Sequence, residues 1–319
     1  MKQRLPWQQP QWQRLQQQIA QQRIPHALLL HGTEGSGKQQ FAEALAEQLL
    51  CETPAPSREA CGECASCKLL QAETHPDLIQ LQPEEGKQVL AVDQVRSMVE
   101  EFGYTPQIAQ RKVVLLHPAE RMNVNAANSL LKTLEEPPGE AVMILVSHTP
   151  ARLLATIRSR CQQIAFPLPT EEEAHQWLQT QLPEVKDLQS ILLLSERAPL
   201  KALQLSDPEQ LDHYQQMGSE LIDLLGGRAD PIRVALRWSD KKLDPTTTLR
   251  WLQQWVTLLI KGESKGEPLT TLSQRLQRAD RQQLFHFYDK VTQAIPLAST
   301  PVHRELLFQG ILLDWRKFR

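Results

Sequence analysis

Ala27-Leu28-Leu29-Leu30-His31-Gly32-Thr33-Glu34-Gly35-Ser36-Gly37-Lys38-Gln39 is the stretch on which the fold turns. An apolar run ending in a glycine-rich turn can aim backbone N–H groups at phosphate, and a lysine closing the turn can reach the outer phosphates of a nucleotide. Gly32, Gly35, Ser36, Gly37 and Lys38 supply those parts. Gln39, however, stands where such a loop carries the serine or threonine hydroxyl that holds magnesium. Phosphate docking tolerates that change better than hydrolysis does, because phosphoryl transfer rests on metal placement and charge stabilisation.

Outward from the loop, short apolar runs alternate with helical patterns. Lys38 to Leu50 is a predicted helix, with Phe41, Leu45 and Leu49 on one stripe. Asp77 to Leu81, after the turn signal His75-Pro76, is a predicted strand. Val92 to Phe102 is a helix in which Val95, Met98, Val99 and Phe102 share a face. Lys112 to His117 holds the run Val113-Val114-Leu115-Leu116, and a long helix follows from about Asn123 to Glu136, stopped by Pro137-Pro138. Ala141 to Ser147 and Gln162 to Phe166 are the last apolar runs, with a helical stretch Arg152 to Ile157 between them. Runs of this kind are strands buried on both faces. Their alternation with helices implies an α/β domain, a parallel sheet with helices on each side.

A nucleotide-hydrolysing site also needs an apolar strand that ends in carboxylates to hold magnesium and polarise water. The best candidate, Val113 to Leu116, runs instead into His117-Pro118-Ala119-Glu120. A neutral imidazole is poorly suited to magnesium, Pro118 has no side-chain oxygen, and Glu120 comes a few residues late. The departures at Gln39 and at His117-Pro118 are independent and point the same way.

Four of the five cysteines form the pattern Cys51-x9-Cys61-x2-Cys64-x2-Cys67. In a reducing compartment such a cluster reads as a metal site before it reads as disulfides. Four thiolates complete a tetrahedral zinc site with no open position, which implies a structural role. An iron–sulfur cluster or a redox pair remains open on spacing alone. Cys161 reads as a small buried side chain. Beside it, Arg160 in Ser159-Arg160-Cys161 is by itself an ordinary surface arginine.

The 319 residues leave room for two or three domains, and 41% hydrophobic with 23% charged residues is ordinary soluble usage. No window nears the roughly 18 apolar residues of a membrane span, and Met1 to Pro10 is polar and glutamine-rich, so a cytoplasmic protein is expected. A net charge of −2 provides no global field for nucleic acid, and any such contact must be local. After Phe166 the texture changes. Pro167 to Glu173 reads as a linker into a helix, with Thr170 as N-cap and Glu173 at the reciprocal position. Only helical patterns follow, with a break at Ser206-Asp207-Pro208 and a Trp251, Trp255, Leu258-Leu259 stripe that reads as core or subunit interface.

Taken together, these residues resemble the clamp-loader branch of the AAA+ proteins. The resemblance is carried by the loop, Pro25-His26-Ala27, the cysteine module, His75-Pro76-Asp77, Val92-Asp93-Gln94-Val95-Arg96 and Ser159-Arg160-Cys161. Its most specific element is the run Asn125-Ala126-Ala127-Asn128-Ser129-Leu130-Leu131-Lys132-Thr133-Leu134-Glu135-Glu136-Pro137-Pro138. It is dense to about residue 166 and thinner beyond.

The resemblance implies an AAA+ α/β domain over residues 1–166 with its zinc module at 51–67, a small helical lid over 167–206, and a helical collar domain over 207–319. It implies the stator of the clamp loader in the DNA polymerase III holoenzyme, with no ATPase activity expected of the chain itself and ATP binding doubtful. Arg160 is then an arginine finger delivered in trans, and Ser147 and Lys201 occupy the two nucleotide-sensor positions. The implied partners are the gamma and tau motor subunits and the delta subunit in a hetero-pentameric ring. Through that ring the chain would meet the sliding clamp and primed DNA, in the cytoplasm and at the nucleoid during replication. An active ATPase that holds magnesium in an unusual way is the alternative, and an independent DNA-binding zinc protein is a third reading.

Overall fold

A computed structural model describes residues 4–54, 59–84, 89–183, 188, 191, 192, 195–205, 208–240, 244–262, 269–277, 279–298, 300 and 302–318. The chain divides into two compact units, Met1–Glu173 and Ala174–Arg319. The further division expected at Ser206-Asp207 lies outside the described residues.

In the first unit, helix α1 (Gln9–Ala20) precedes strand β1 (Ala27–His31), which leads through the glycine loop into α2 (Lys38–Leu50). Then come α3 (Ala65–Gln71), β2 (Leu78–Leu81), α4 (Val92–Phe102), β3 (Val113–Leu116), α5 (Val124–Glu135), β4 (Val142–Ser147), α6 (Ala155–Arg158) and β5 (Gln162–Ala165). The five strands are parallel in the order β2-β3-β4-β1-β5, so β1 lies between β4 and β5. Leu30 pairs with Val146 on one side and Ile164 on the other.

Alternation along the strands assigns the two faces. Leu28, Leu30, Val113, Leu115, Ile144 and Val146 face Trp12 and Leu15 of α1 and Phe41 and Leu45 of α2. Leu29, Val114, Leu116, Met143 and Leu145 face Val95, Met98 and Phe102 of α4, Leu130 and Leu134 of α5 and Ile157 of α6. Successive side chains of a strand point to opposite faces, so an unbroken apolar run requires a covering layer on each. Phe41 is the hinge of one layer, with edge-on contacts to Trp12 at 5.4 Å and to Phe166 at 4.8 Å.

Short polar devices fix the connections. Asn123 caps α5, its Oδ1 accepting from Ala126 N at 2.9 Å. Thr170 and Glu173 form the reciprocal cap expected of them. Thr170 Oγ1 accepts from Glu173 N at 3.2 Å, and Glu173 Oε2 accepts from Thr170 N at 2.9 Å. Asp77, fully buried, accepts from the backbone N–H groups of Gln107, Ile108 and Ala109 at 2.7, 2.8 and 2.8 Å. Burial alone would push the Asp77 carboxyl up, but these amides hold it below its ordinary value.

In the second unit the described elements are all helical, and they share one core. Four helices begin at Pro199, Pro208, Pro231 and Pro245, where a missing N–H leaves no bond unmade. Trp251 and Trp255 are buried in that core with Trp238 and Trp315, which bears out the packing reading of the tryptophan stripe. Among the described residues no helix is long and apolar enough to cross a membrane.

Removing the Asp77 acceptor strands three buried amides. Asp77→Ala is expected to lower stability by about 2–4 kcal/mol and to speed hydrogen exchange at residues 107–109. Urea unfolding and exchange mass spectrometry check this, and unchanged exchange would mean that water already serves those amides.

Candidate functional site

The C-terminal ends of β1, β3 and β4 lie side by side and gather the loop, His117 and Ser147 at one edge of the sheet. In an open parallel sheet that edge is where ligands bind. The loop has the backbone its glycines permit, with φ of +150° at Gly32, +79° at Gly35 and +86° at Gly37. A Cβ on Gly37 would lie 2.2 Å from Leu5 Cδ1, and one on Gly32 would lie 2.3 Å from Phe166 O. The loop is therefore packed against its surroundings as well as turned.

Two side chains preceding α1 close over it. Trp7 Nε1 donates to Ser36 O at 3.0 Å, while Gln8 Nε2 donates to Ser36 O at 3.1 Å and Gly37 O at 2.8 Å. Lys38 is buried and turns inward. Its ammonium donates to Gly32 O at 2.8 Å and Thr33 O at 2.7 Å and lies 3.4 Å from Ser36 Oγ. Burial lowers the Lys38 pKa to about 8, with Glu120 and Glu34 pulling the other way. Gln39 is exposed and reaches along α2 to Glu43 Oε1 at 3.0 Å. It brings no oxygen into the loop.

Where carboxylates are needed there is a histidine pair. His117 Nε2 lies 3.1 Å from His148 Nε2, with the rings edge-on at 5.1 Å. One nitrogen must donate and the other accept, so the two rings cannot both be protonated in this contact. Burial first, then repulsion from His148, lowers the His117 pKa to about 4. Glu120 is committed elsewhere, its Oε1 accepting from His148 N at 2.9 Å and Thr149 N at 3.2 Å. Burial pushes the Glu120 carboxyl up, yet backbone N–H groups hold it below its ordinary value. Ser147 ends β4 fully buried beside it. Lys201 belongs to the second unit, where its Nζ lies 3.8 Å from Glu196 Oε1.

The four cysteine sulfurs lie within 4.8 Å of one another, with Cys51 to Cys64 at 4.0 Å and Cys61 to Cys67 at 3.9 Å. Tetrahedral zinc–thiolate bonds of about 2.3 Å place sulfurs about 3.8 Å apart. The set fits a metal ion such as zinc. Backbone N–H groups support the thiolates, Cys61 N donating to Cys51 Sγ at 3.3 Å and Cys67 N to Cys64 Sγ at 3.4 Å. The Thr53 hydroxyl and the amides of Glu63 and Cys64 draw Cys61 down to about 6, while burial pushes Cys51 and Cys67 up.

A buried relay ties this module to the sheet. His75 Nδ1 accepts from Asp77 N at 3.0 Å, which leaves its Nε2–H to donate to Ser66 Oγ at 2.8 Å. Ser66 Oγ in turn donates to Leu50 O at 2.6 Å. Cys161 is buried and pushed up to about 12 by that burial, an inert packing thiol as its sequence context implied.

Arg160 follows α6 at the surface. Its Nε donates to Glu135 Oε1 at 2.8 Å and its Nη1 to Thr156 O at 2.9 Å. The sequence singled out Arg160, Ser147 and the loop but not the residues beside them, Glu135, His148, and Trp7 with Gln8. Glu135 lies inside the long family-specific run and His148 directly follows Ser147, so adjacency to marked residues was the available signal. Trp7 and Gln8 carried none.

The profile of the family described as DNA polymerase III, delta subunit, matches residues 7–170. A DNA polymerase III subunit delta' of Pseudomonas aeruginosa is 39% identical over 307 residues, 91% of each chain. A DNA polymerase III subunit tau of Bacillus subtilis is 35% identical over 141 residues, 44% of this chain and 24% of its own. Among solved structures, a DNA polymerase III gamma subunit-related protein of Thermotoga maritima superposes with a TM-score of 0.51 at 19% identity. That match covers 96% of this chain and 99% of the other.

Two measurements check this geometry. Purified chain is expected to carry about one zinc, and a chelator or Cys64→Ser should release it and lower the melting temperature by roughly 4–8 °C, the shift for about 2 kcal/mol. Finding iron with inorganic sulfide, or no metal, would reject zinc. For His117, the unfolded chain takes up a proton near pH 6.5 and the folded chain resists until about 4. Its contribution is present above pH 6.5 and is lost as pH falls towards 4, so His117→Gln should narrow the gap between urea midpoints at the two ends of that window.

Proposed function

The chain belongs to the DNA polymerase III subunit delta' family, and from that premise we propose that it is the non-hydrolysing stator of a clamp loader, holding a fixed platform against which ATPase subunits move. One observation carries the reading. At the edge where magnesium should be held, Gln39 is turned away to Glu43 and His117 is paired with His148. No hydroxyl at position 39 and no strand-end carboxylate pair faces the loop. Lys38, bonded to the carbonyls of Gly32 and Thr33, is occupied as part of the loop's own structure.

Glu120 is the acid an active site with unusual magnesium binding would need, and its Oε1 is already taken by the amides of His148 and Thr149. Its Oε2 is buried without a hydrogen-bond partner among the described residues, but one such oxygen is not the pair of strand-end carboxylates that holds magnesium, which disfavours the ATPase alternative. Phosphate or ATP would have to displace the Lys38 contacts to dock, so Gly32, Gly35, Ser36, Gly37, Lys38, Gln39 and Ser147 form a degenerate phosphate site. Lys201 is the second-sensor position retained in the helical part. That part we divide into a lid over 167–206 and a collar domain over 207–319, beside the α/β domain of 1–166.

Arg160 gives the chain its chemistry. A guanidinium at the surface can reach the phosphates of ATP bound by a neighbouring subunit and stabilise the charge that develops on transfer. The neighbours we infer are gamma or tau motor subunits, with a delta subunit completing a five-membered ring that opens the sliding clamp and places it on primed DNA in the cytoplasm. The zinc module is structural. It locks the excursion between α2 and β2 and leaves no ligand position open.

The isolated chain is expected to show no ATP turnover above background, and motor-like rates in a steady-state assay would overturn the stator reading. In a reconstituted loader, Arg160→Ala should lower DNA-stimulated ATP hydrolysis at the affected site by roughly 10³-fold or more. An unchanged rate would remove the trans-finger role.

A further inference from the structure

Arg160 is held before any partner arrives. Its Nε and Nη2 both donate to Glu135 Oε1, and its Nη1 donates to Thr156 O. A guanidinium has five N–H bonds in one rigid plane. These three contacts leave two, one on each terminal nitrogen, for a second acceptor. The Arg160 side chain is 34% exposed and that of Glu135 51%, so the pair sits where an incoming chain can meet it.

Both supports are anchored. Glu135 is the last residue of α5, and the preceding Leu134 is buried, with its carbonyl oxygen 3.0 Å from His26 Nε2 at the entry to β1. Thr156 lies in α6 beside the fully buried Ile157, and Cys161 is buried on the other side of Arg160. Half-exposed ion pairs of this kind contribute little to folding. What the contact does fix is direction, because a planar fork pinned along one edge has its remaining donors aimed.

We propose that Glu135 is a positioning residue that orients the guanidinium of Arg160 so that its two remaining N–H bonds meet phosphate oxygens on a neighbouring subunit. The proposal rests on Arg160 acting in trans. A long arginine side chain loses rotamer freedom when it docks, and a chain already ordered by Glu135 has lost it beforehand. The carboxylate engages through a single oxygen, so the amide oxygen of glutamine can reproduce the contact without its charge.

The test uses the reconstituted loader, with DNA-stimulated kcat and KM for ATP measured for Glu135→Ala, Glu135→Gln, Arg160→Ala and the double variant. Glu135→Ala is expected to lower kcat by about tenfold, the equivalent of about 1.4 kcal/mol, with KM unchanged. Glu135→Gln should fall between it and the parent, and Glu135→Ala should add nothing in the Arg160→Ala background. If Arg160→Ala lowers kcat and Glu135→Ala does not, positioning is rejected while the finger stands. An equal loss from Glu135→Ala in both backgrounds rejects it too, because Glu135 then acts by another route. If Arg160→Ala has no effect, the finger assignment fails and this proposal with it. Should Glu135→Ala impair assembly, kcat per assembled ring for Glu135→Gln decides, and a value equal to Arg160→Ala overturns the proposal.

Discussion

A parallel sheet covered on both faces must export its polar chemistry to the edge where its strands end. Every other feature of the first unit depends on that constraint. The side chains of β1, β3 and β4 are consumed by the two apolar layers, so only the residues immediately past them are free to differ. Those residues are the glycine loop, His117 and His148, the last directly after Ser147 at the end of β4. The scaffold holds their spacing while leaving their identity open, because function lies in the site and not in the fold that carries it.

The edge is electrostatically quiet. Its one buried ammonium is bonded to two carbonyls, its two imidazoles share a contact that excludes double protonation, and its carboxylate accepts from backbone amides. A site built for magnesium and triphosphate carries strong opposing charges that only the ligand reconciles. Here Lys38 and Glu120 each have internal backbone partners. A further guanidinium, Arg160, lies at the surface after α6, paired with Glu135.

The regular elements were legible because their signals are local. β1, α2 and α4 have the bounds that apolar periodicity implied, and β3 and β4 lost only end residues to turns. Helix α1 was not read. It is rich in glutamine and buries only Trp12, Leu15 and Gln16, too sparse a stripe to show as a period. The cysteine site was legible for a similar reason, since its ligands lie close in sequence. The pairings His117 with His148, Glu120 with the amides after β4, and Arg160 with Glu135 join residues about 25 to 31 positions apart. They follow from which strands become neighbours, which no periodicity encodes.

The clamp of Trp7 and Gln8 over the loop bears on reversibility. Once the carbonyls of Ser36 and Gly37 are bonded to the segment before α1, and Lys38 to those of Gly32 and Thr33, the loop keeps its shape without a ligand. A serine placed at position 39 would enter a loop already held by its own contacts, beside a strand end that carries His117 and Pro118. Each internal contact therefore makes the others harder to undo by single substitutions. Change at this edge is coupled, because a substitution at one position meets a loop that the remaining contacts still hold.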